Sequence, residues 1–234
     1  MTNLVARLVA IVGGLMILMR RWGADTAAPA IGTTPEIPKA RPQNIPTLKM
    51  PTARGWAPGQ TPIAAPGLKV NAFASGLDHP RWIQPLSNGD VLVAEALSVA
   101  GGIQSAFDYA IFATMKRADA VGISANRITL LRDANGDGVA ETQEVFLTGL
   151  NQPFGMAQIG DKLYVANTDA LLVYPFQPGP TRLTAQPQKL ASFKPGGHWT
   201  RSLLPSPDGS KLYVGVGSDT NIADNGMDAE AGRA

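Results

Sequence analysis

Short apolar segments separated by turn residues dominate the chain from Leu68 onward. The apolar segments include RWIQPL, VLVAEA, KLYVAN and KLYVGVG, and the turns between them include SNGD and PDG. Valine, leucine and tyrosine favour half-buried strands, and Asn-Gly and Pro-Asp-Gly sequences favour tight turns. The pattern therefore predicts an all-β domain of short strands over residues 68–234.

An internal repeat organises these strands. The sequence GLDHP, which starts at Gly76, recurs as GLNQP from Gly149, and a third copy begins at Gly196. The second and third copies are 47 residues apart, whereas the first and second are 73 apart and enclose an insert of roughly 26 residues. A unit of about 40–50 residues with four short strands is typical of a β-propeller blade. We therefore expect two full blades and the first half of a third.

The insert, residues 98–123, is predicted to contain one amphipathic helix. Its apolar side chains recur at helical spacing, while most charged residues lie elsewhere on the helical wheel. The apolar positions are Ile103, Phe107, Ala110, Ile111 and Met115. We expect the helix to pack on the propeller; covering the functional site or touching a membrane surface is the alternative.

The N-terminal part of the chain has a different composition. Residues 8–19 form an unbroken apolar run that is shorter than the ~20 residues of a comfortable membrane span. Residues 1–22 are therefore interpreted as a signal peptide or an uncleaved membrane anchor, and both remain open. Nine prolines occur before Gly67, so residues 23–67 are predicted to form a proline-rich linker.

Composition removes several classes of function. The chain has no cysteine, which excludes disulfides, zinc–thiolate sites and thiol nucleophiles. The formal net charge is only +2, so no nucleic-acid partner is expected. The 25 glycines and 19 prolines agree with a chain of many turns.

The repeat aligns three polar residues that are candidates for a binding site. Asp78, Asn151 and His198 occupy equivalent positions just before the first strand of each blade, where propeller loops surround the central channel. His198 is the strongest candidate because an imidazole can accept a proton near neutral pH. A purely structural histidine is the alternative, and His79 is interpreted as structural.

Residues 133–144 match the spacing of a twelve-residue calcium loop, with glycine at the sixth position and glutamate at the last. Oxygen ligands at alternate positions suit a hard cation. The flanks have strand character, so an ordinary Asn-Gly-Asp-Gly hairpin turn is the alternative. The candidate ligands are Asp133, Asn135, Asp137, Val139, Glu141 and Glu144.

Four stretches together resemble the L-sorbosone dehydrogenase family, whose relatives are the soluble quinoprotein glucose and aldose-sugar dehydrogenases. They are ASGLDHPRWIQPLSNGDVLVAEA, SANRITLLRDANGDG, GLNQPFGMAQIGDKLYVANTDALLVYPF and GGHWTRSLLPSPDGSKLYVGVGS. The resemblance implies a six-bladed propeller that binds pyrroloquinoline quinone (PQQ), usually with Ca²⁺, and oxidises a sugar or a sugar aldehyde.

The same resemblance implies roles for individual residues. It makes His198 the general base and assigns cofactor contacts to Asn151, Gln152 and Arg201. The aspartate that orients the histidine in the glucose dehydrogenases is matched, displaced by one residue, by Asp219.

The resemblance also implies partners and a location. The implied partners are a small sugar or aldehyde and an electron acceptor of the respiratory chain, and the implied location is the periplasm, with possible attachment to the inner membrane through residues 1–22. The blade count predicts that the chain is the N-terminal portion of a longer enzyme and is inactive alone. A calcium-dependent lactonase-type propeller hydrolase and a non-catalytic binding propeller are the alternative functions.

Overall fold

The computed structural model describes residues 32–34, 51–99, 106–220, 223, 225–231 and 233. Among these residues, those from the segments Met1–Gly55 and Ala100–Val121 form one compact unit, and those from Trp56–Val99 and Gly122–Ala234 form a second.

The described part of the chain contains no helix long and apolar enough to cross a bilayer. The predicted signal or anchor, residues 1–22, lies outside the described residues, as does most of the predicted linker. The described linker residues 51–67 have neither helix nor strand, and nearly all are exposed.

The first sheet in the second unit is a four-stranded antiparallel meander. It consists of β1 (Pro80–Pro85), β2 (Val91–Glu95), β3 (Arg127–Arg132) and β4 (Thr142–Leu147). The spatial order is β1-β2-β3-β4, and every neighbouring pair is antiparallel. This confirms the strands predicted for the first repeat.

The second sheet repeats the first, and a third begins after it. The second consists of β5 (Met156–Ile159), β6 (Lys162–Ala166), β7 (Ala170–Pro175) and β8 (Gln188–Ser192) in the order β5-β6-β7-β8. β9 (Arg201–Pro205) and β10 (Leu212–Val216) form an antiparallel pair. The described residues thus confirm two four-stranded repeats and one two-stranded start.

Consecutive sheets pack side by side. β1 lies against β5, and β5 lies against β9. A large apolar core joins the first two sheets, and a smaller one formed by Ala157, Ala166, Leu171 and Leu203 joins the second to the third. The large core comprises Leu86, Leu92, Ala94, Ile128, Leu130, Phe146, Leu150, Met156, Leu163, Val165, Tyr174 and Phe176.

Gly155 permits the closest approach between two sheets. Its amide donates to the carbonyl of Arg201 at 2.9 Å. A Cβ at this position would stand 2.6 Å from that carbonyl oxygen and 2.6 Å from the amide nitrogen of Leu203, which is far inside contact distance. Only glycine therefore allows the backbones before β5 and in β9 to meet here.

The inserted segment contains the predicted helix, α1 (Ala106–Arg117). Ile103 lies outside the described residues. Ile111 and Met115 are 39% and 37% exposed, so neither is fully covered. Packing on the propeller stays a prediction. A second helix, α2 (Met227–Ala231), follows the third sheet and was not expected from the sequence.

Candidate functional site

The loops that carry the candidate residues lie at one end of the three sheets. We call the end at which β2, β6 and β10 finish the upper end. Asp78, Asn151 and His198 all precede the first strand of their sheet, so antiparallel order places them at this end. A hydrogen bond connects the loops of the first two repeats. The side chain of Gln152 donates to the carbonyl of Leu97 at 2.9 Å.

The third of these loops differs in shape from the first two. His79 and Gln152 occupy equivalent positions and adopt φ values of 51° and 45°. In the third copy the two residues before His198, Gly196 and Gly197, have the positive φ values, 98° and 53°. The loop therefore turns earlier, and the His198 side chain is exposed.

The contacts of His198 favour one tautomer of its ring. Its Nδ1 lies 3.1 Å from the carbonyl oxygen of Ser218 and 2.9 Å from the Ser218 hydroxyl. A carbonyl can only accept, so Nδ1 must be the donor for both contacts to be favourable. In the neutral ring Nε2 then carries the lone pair, which is the arrangement a general base requires.

Among the hydrogen bonds of the described residues, none joins the Asp219 carboxylate to this ring. Its carboxylate accepts from Arg233 at 3.0 Å and from Asn225 at 2.9 Å. The hydrogen bond from Asn225 and that from Arg233, together with the guanidinium charge, hold the pKa of Asp219 below its ordinary value. The one-residue displacement seen in the sequence therefore puts Ser218 beside the histidine, in the place expected for the orienting carboxylate.

Arg201 is completely buried beside the His198 loop. Its guanidinium donates to the carbonyls of His198 and Thr200 at 3.0 Å each, and to that of Lys194 at 2.9 Å. It also lies over the ring of Phe193, with the guanidinium carbon 5.7 Å from the ring centroid. These contacts give Arg201 a role in shaping the loop, and contact with a cofactor stays a prediction.

Asn151 and Gln152 have different environments. Asn151 is exposed, whereas Gln152 is half-buried and donates through its side chain to Leu97. The backbone amide of Gln152 donates to the side chain of Asn126 at 2.9 Å. Asn126 thus joins the first and second repeats, a contact that the sequence did not reveal. Cofactor contacts by Asn151 and Gln152 stay predictions.

An aromatic line crosses the upper parts of the three sheets. Phe154 lies between Trp82 and Trp199, with ring centroids 5.5 and 6.0 Å away. The Trp199 indole donates to the Ser98 hydroxyl at 2.5 Å, and the guanidinium of Arg81 lies 5.6 Å from its ring centroid. Trp199, the residue after His198, therefore contacts side chains of both earlier repeats.

The turn between β6 and β7, at the same end, leaves three oxygens without a hydrogen-bond partner among the described residues. They are Oδ1 of Asn167, Oγ1 of Thr168 and Oδ1 of Asp169, and all three atoms are buried. Buried polar atoms normally have partners, so these oxygens mark a place for ordered water or a ligand.

The predicted calcium loop lies at the opposite end, between β3 and β4. Carboxylate oxygens of Asp133, Asp137 and Glu141 lie within 4.8 Å of one another. The side chain of Asn135 joins the group and donates to Glu141 at 2.5 Å. Backbone amides, that of Gly138 first, donate to Asp133 and lower the pKa of its carboxyl.

The other two predicted ligands of the loop have different positions. Glu144 is part of β4 and forms an ion pair with Arg182 at 3.6 Å, so it lies outside the carboxylate group. The Val139 amide donates to the side chain of Asp137 at 2.9 Å. Binding of Ca²⁺ by these residues stays a prediction.

A groove of about 610 Å³ opens beside β4 and β7, and Phe146, Tyr174, Arg182 and Leu183 are among the residues that line it. None of the predicted site residues lines this groove.

Comparisons with known proteins place the chain in a family. Residues 62–234 match the TrAA12-like family. No curated protein matches the chain. Three solved structures match, each with 20% sequence identity.

The first is the holo form of the pyranose dehydrogenase PQQ domain from Coprinopsis cinerea, with a TM-score of 0.46; the match covers 65% of this chain and 31% of that one. The others are an iodide and a calcium structure of Trichoderma reesei Carbohydrate-Active Enzymes family AA12. The iodide structure has a TM-score of 0.50 and coverages of 74% and 38%, and the calcium structure has 0.49, 72% and 37%. The chain thus spans about a third of the length of each structure it matches, and the iodide structure shares its fold.

Proposed function

Because the chain belongs to the TrAA12-like family, we propose that it forms part of a PQQ-dependent oxidoreductase that acts on a sugar or a sugar aldehyde, with His198 as the general base. The family and a structural relative described as carbohydrate-active support a sugar substrate. The quinone rests on the sequence resemblance. The narrower choice of L-sorbosone as substrate belongs to the same proposal.

The observation that carries the proposal is the position of the His198 ring. The Ser218 carbonyl accepts from Nδ1, and the imidazole is exposed at the upper end. The lone pair on Nε2 can then take the proton of a substrate hydroxyl, either a sugar hydroxyl or one hydroxyl of a hydrated aldehyde. Loss of that proton prepares the carbon beneath it to give up a hydride and become a carbonyl.

PQQ, when bound, supplies the two-electron acceptor that takes this hydride. Of the three residues predicted to hold it, only Asn151 is exposed, and its amide suits a quinone oxygen or a cofactor carboxylate. Gln152 and Arg201 use side-chain donors on backbone carbonyls. Among the described residues, His198 can therefore accept the proton of the substrate. Asn151 is the predicted cofactor residue whose side chain is free to contact PQQ.

The finer statements about architecture and context belong to this proposal. The sheets would be the first two blades and the start of the third in a six-bladed propeller, with loops of the upper end around the quinone. The electrons would pass to an acceptor of the respiratory chain, and the location would be periplasmic, with residues 1–22 as export signal or inner-membrane anchor. Ca²⁺ would bind at Asp133, Asp137 and Glu141, at the end away from His198.

The test is a dye-reduction assay with PQQ and Ca²⁺ on the chain and on the longest protein that its gene encodes. A panel of aldoses, pyranoses and sugar aldehydes, including L-sorbosone, provides the substrates. We expect a rate that requires both PQQ and sugar from the longer protein, and none from the chain alone.

The alternatives have distinct signatures in that assay. The absence of a PQQ-dependent rate on every sugar would contradict the proposal. Hydrolysis of lactones without dye or quinone would favour the lactonase-type function instead. A high PQQ-dependent rate from the chain alone would show that the blade count behind the proposal is wrong.

A further inference from the structure

Two buried guanidinium groups hold the loop that carries His198. Arg201 is 0% exposed and Arg233 is 6% exposed. Arg201 donates to the carbonyls of Lys194, His198 and Thr200. The segment 194–200 thus has three of its carbonyls fixed by one side chain.

Arg233 joins this segment to the one that faces it. It donates to the carbonyl of Gly196 at 2.6 Å and to that of Gly217 at 3.0 Å. Its third contact is the carboxylate of Asp219 at 3.0 Å. The partner of the His198 ring, Ser218, therefore lies between two residues that Arg233 holds.

The two guanidiniums act together with other contacts of the loop, because Trp199 also contacts both earlier repeats. The backbone amide of His198 donates to the Ser218 carbonyl at 2.8 Å, and the amide of Gly217 donates to the Thr200 carbonyl at 3.2 Å. Gly196 and Gly197 both adopt positive φ, so the chain entering the loop has no regular structure. The two guanidiniums hold the two sides of the contact between the His198 ring and the Ser218 carbonyl: Arg201 binds the His198 carbonyl, and Arg233 binds the residues on either side of Ser218.

Arg201 is buried with no carboxylate partner among the described residues. Its three hydrogen bonds all go to backbone carbonyls, and its Nε has no partner among the described residues. Burial, together with the nearby charge of Arg233, lowers the pKa of its guanidinium. A buried charge without a paired carboxylate is unfavourable, and such departures tend to occur at functional sites.

Only a planar guanidinium can make these contacts. Arginine presents several N–H groups in a rigid fork and can bind separate carbonyls at once, whereas lysine is a single point of charge. An arginine-to-lysine change keeps the charge but removes the geometry. The change therefore tests whether the effect of the arginine comes from its charge or from the geometry of its hydrogen bonds.

We propose that Arg201 and Arg233 are positioning residues that keep the His198 imidazole protonated at Nδ1, with Nε2 as the acceptor. Arg201 holds the His198 loop and Arg233 holds the residues flanking Ser218, so that the Ser218 carbonyl stays opposite Nδ1. The importance of this state for turnover rests on the proposed function. The state itself can be measured without any turnover, so the two ideas can fail separately.

The experiment is ¹⁵N NMR of the histidine side chains in the 234-residue chain, at a pH where both rings are neutral. The chain has two histidines, so H79Q and H198Q assign both sets of signals. We expect wild-type His198 to show protonation at Nδ1. In R201K and in R233K its signals should move toward those of the urea-unfolded chain, in which nothing fixes the tautomer.

Arg127 offers a matched control. It is bonded to the Glu95 carboxylate in the first sheet, and the amide of Asp78, next to His79, donates to the same carboxylate. R127K should therefore shift the His79 signals and leave those of His198 in place. S218A should also preserve the His198 tautomer, because the backbone carbonyl remains.

Two results would overturn the proposal. One is a wild-type His198 that carries its proton on Nε2, which needs no variant. The other is a folded R201K or R233K chain in which the His198 signals are unchanged. If one of these variants does not fold, the other still tests the proposal. Loss of the Nδ1 signature in these variants, in a protein that oxidises no sugar, would support the positioning role while refuting the proposed function.

Discussion

Glu95, the last residue of β2, accepts hydrogen bonds from strand β3 and from the loop that precedes β1. It is fully buried, and both its oxygens accept from the Arg127 guanidinium, at 2.9 and 2.8 Å. The Thr129 hydroxyl and the Asp78 amide also donate to it. Burial opposes ionisation, but the hydrogen bonds from Arg127, Thr129 and Asp78 outweigh it and lower the pKa of Glu95.

Replacing this residue in E95Q keeps its shape and removes its charge. The new amide NH₂ must face groups that are themselves donors, so at least one buried hydrogen bond is lost. Breaking a buried ion pair costs about 3–5 kcal/mol. The Arg127 side chain is 32% exposed and water can solvate part of it, so we expect a loss of about 2–3 kcal/mol. That corresponds to a fall of about 5–10 °C in Tm.

The assay is urea unfolding of wild type and E95Q between pH 7 and pH 3. Because the folded pKa of Glu95 lies below its ordinary value of 4.5, its contribution is present above that value and is lost as the pH falls through the folded pKa. The difference between the two proteins should therefore shrink on acidification.

The control is E144Q. Glu144 and its partner Arg182 are 3.6 Å apart, with side chains 46% and 71% exposed. This pair should contribute less than about 0.5 kcal/mol. Equal stability of E95Q and wild type at pH 7, or a difference that grows at low pH, would refute the reasoning about Glu95.

Three further predictions follow from the contacts. G155A should lose about 3 kcal/mol of stability in urea, because the added methyl meets the β9 backbone at 2.6 Å, and a loss below about 1 kcal/mol would contradict the close approach. Ca²⁺ at ten times its Kd should stabilise the chain by about 1.4 kcal/mol, and D137N/E141Q should abolish this effect; no effect in wild type would favour a plain hairpin turn. The pKa of Asp208 should be about 2 by NMR titration and should rise in S206A, since the Ser206 hydroxyl is the first of the groups that lower it.

The strands of the fold were predictable because the signal was repeated. Each repeat pairs an apolar segment with a turn and a second apolar segment, and the structure forms β1–β2, β5–β6 and β9–β10 at those places. Local sequence decides these hairpins, so no distant contact had to be known. The relation between the repeats also placed Asp78, Asn151 and His198 at the same end.

The partners of the candidate residues were not predictable, because they are distant in sequence. The Nδ1 partner of His198 is twenty residues away, and the second guanidinium of the loop comes from Arg233, beyond the last strand. An arginine three residues after the candidate histidine suggested a cofactor contact, whereas the fold directs the Arg201 side chain to backbone carbonyls. Whether such an arginine faces a ligand or the backbone depends on the path of the loop.

Glu144 shows how strand pairing overrides a motif. The spacing of the calcium loop requires a ligand at the twelfth position, but β4 pairs with β3 from Thr142 onward. Glu144 is consequently opposite Leu130 in the ladder, and Glu141 is the carboxylate that approaches Asp133. Asp133 and Asp137 therefore lie together as the motif predicts, whereas the residues from Thr142 onward pair with β3 in the sheet.

The central claim, that His198 is the base of a PQQ-dependent sugar oxidation, is tested most directly by comparing H198Q with H79Q. These change the two histidines of the chain one at a time. The measurement is kcat/KM for PQQ-dependent dye reduction by the longest protein that the gene encodes, with the best sugar of the panel. We predict a fall of about 10²–10⁴-fold in H198Q, the contribution typical of a general base, and a change of less than about tenfold in H79Q. A rate in H198Q equal to that of wild type would contradict the claim.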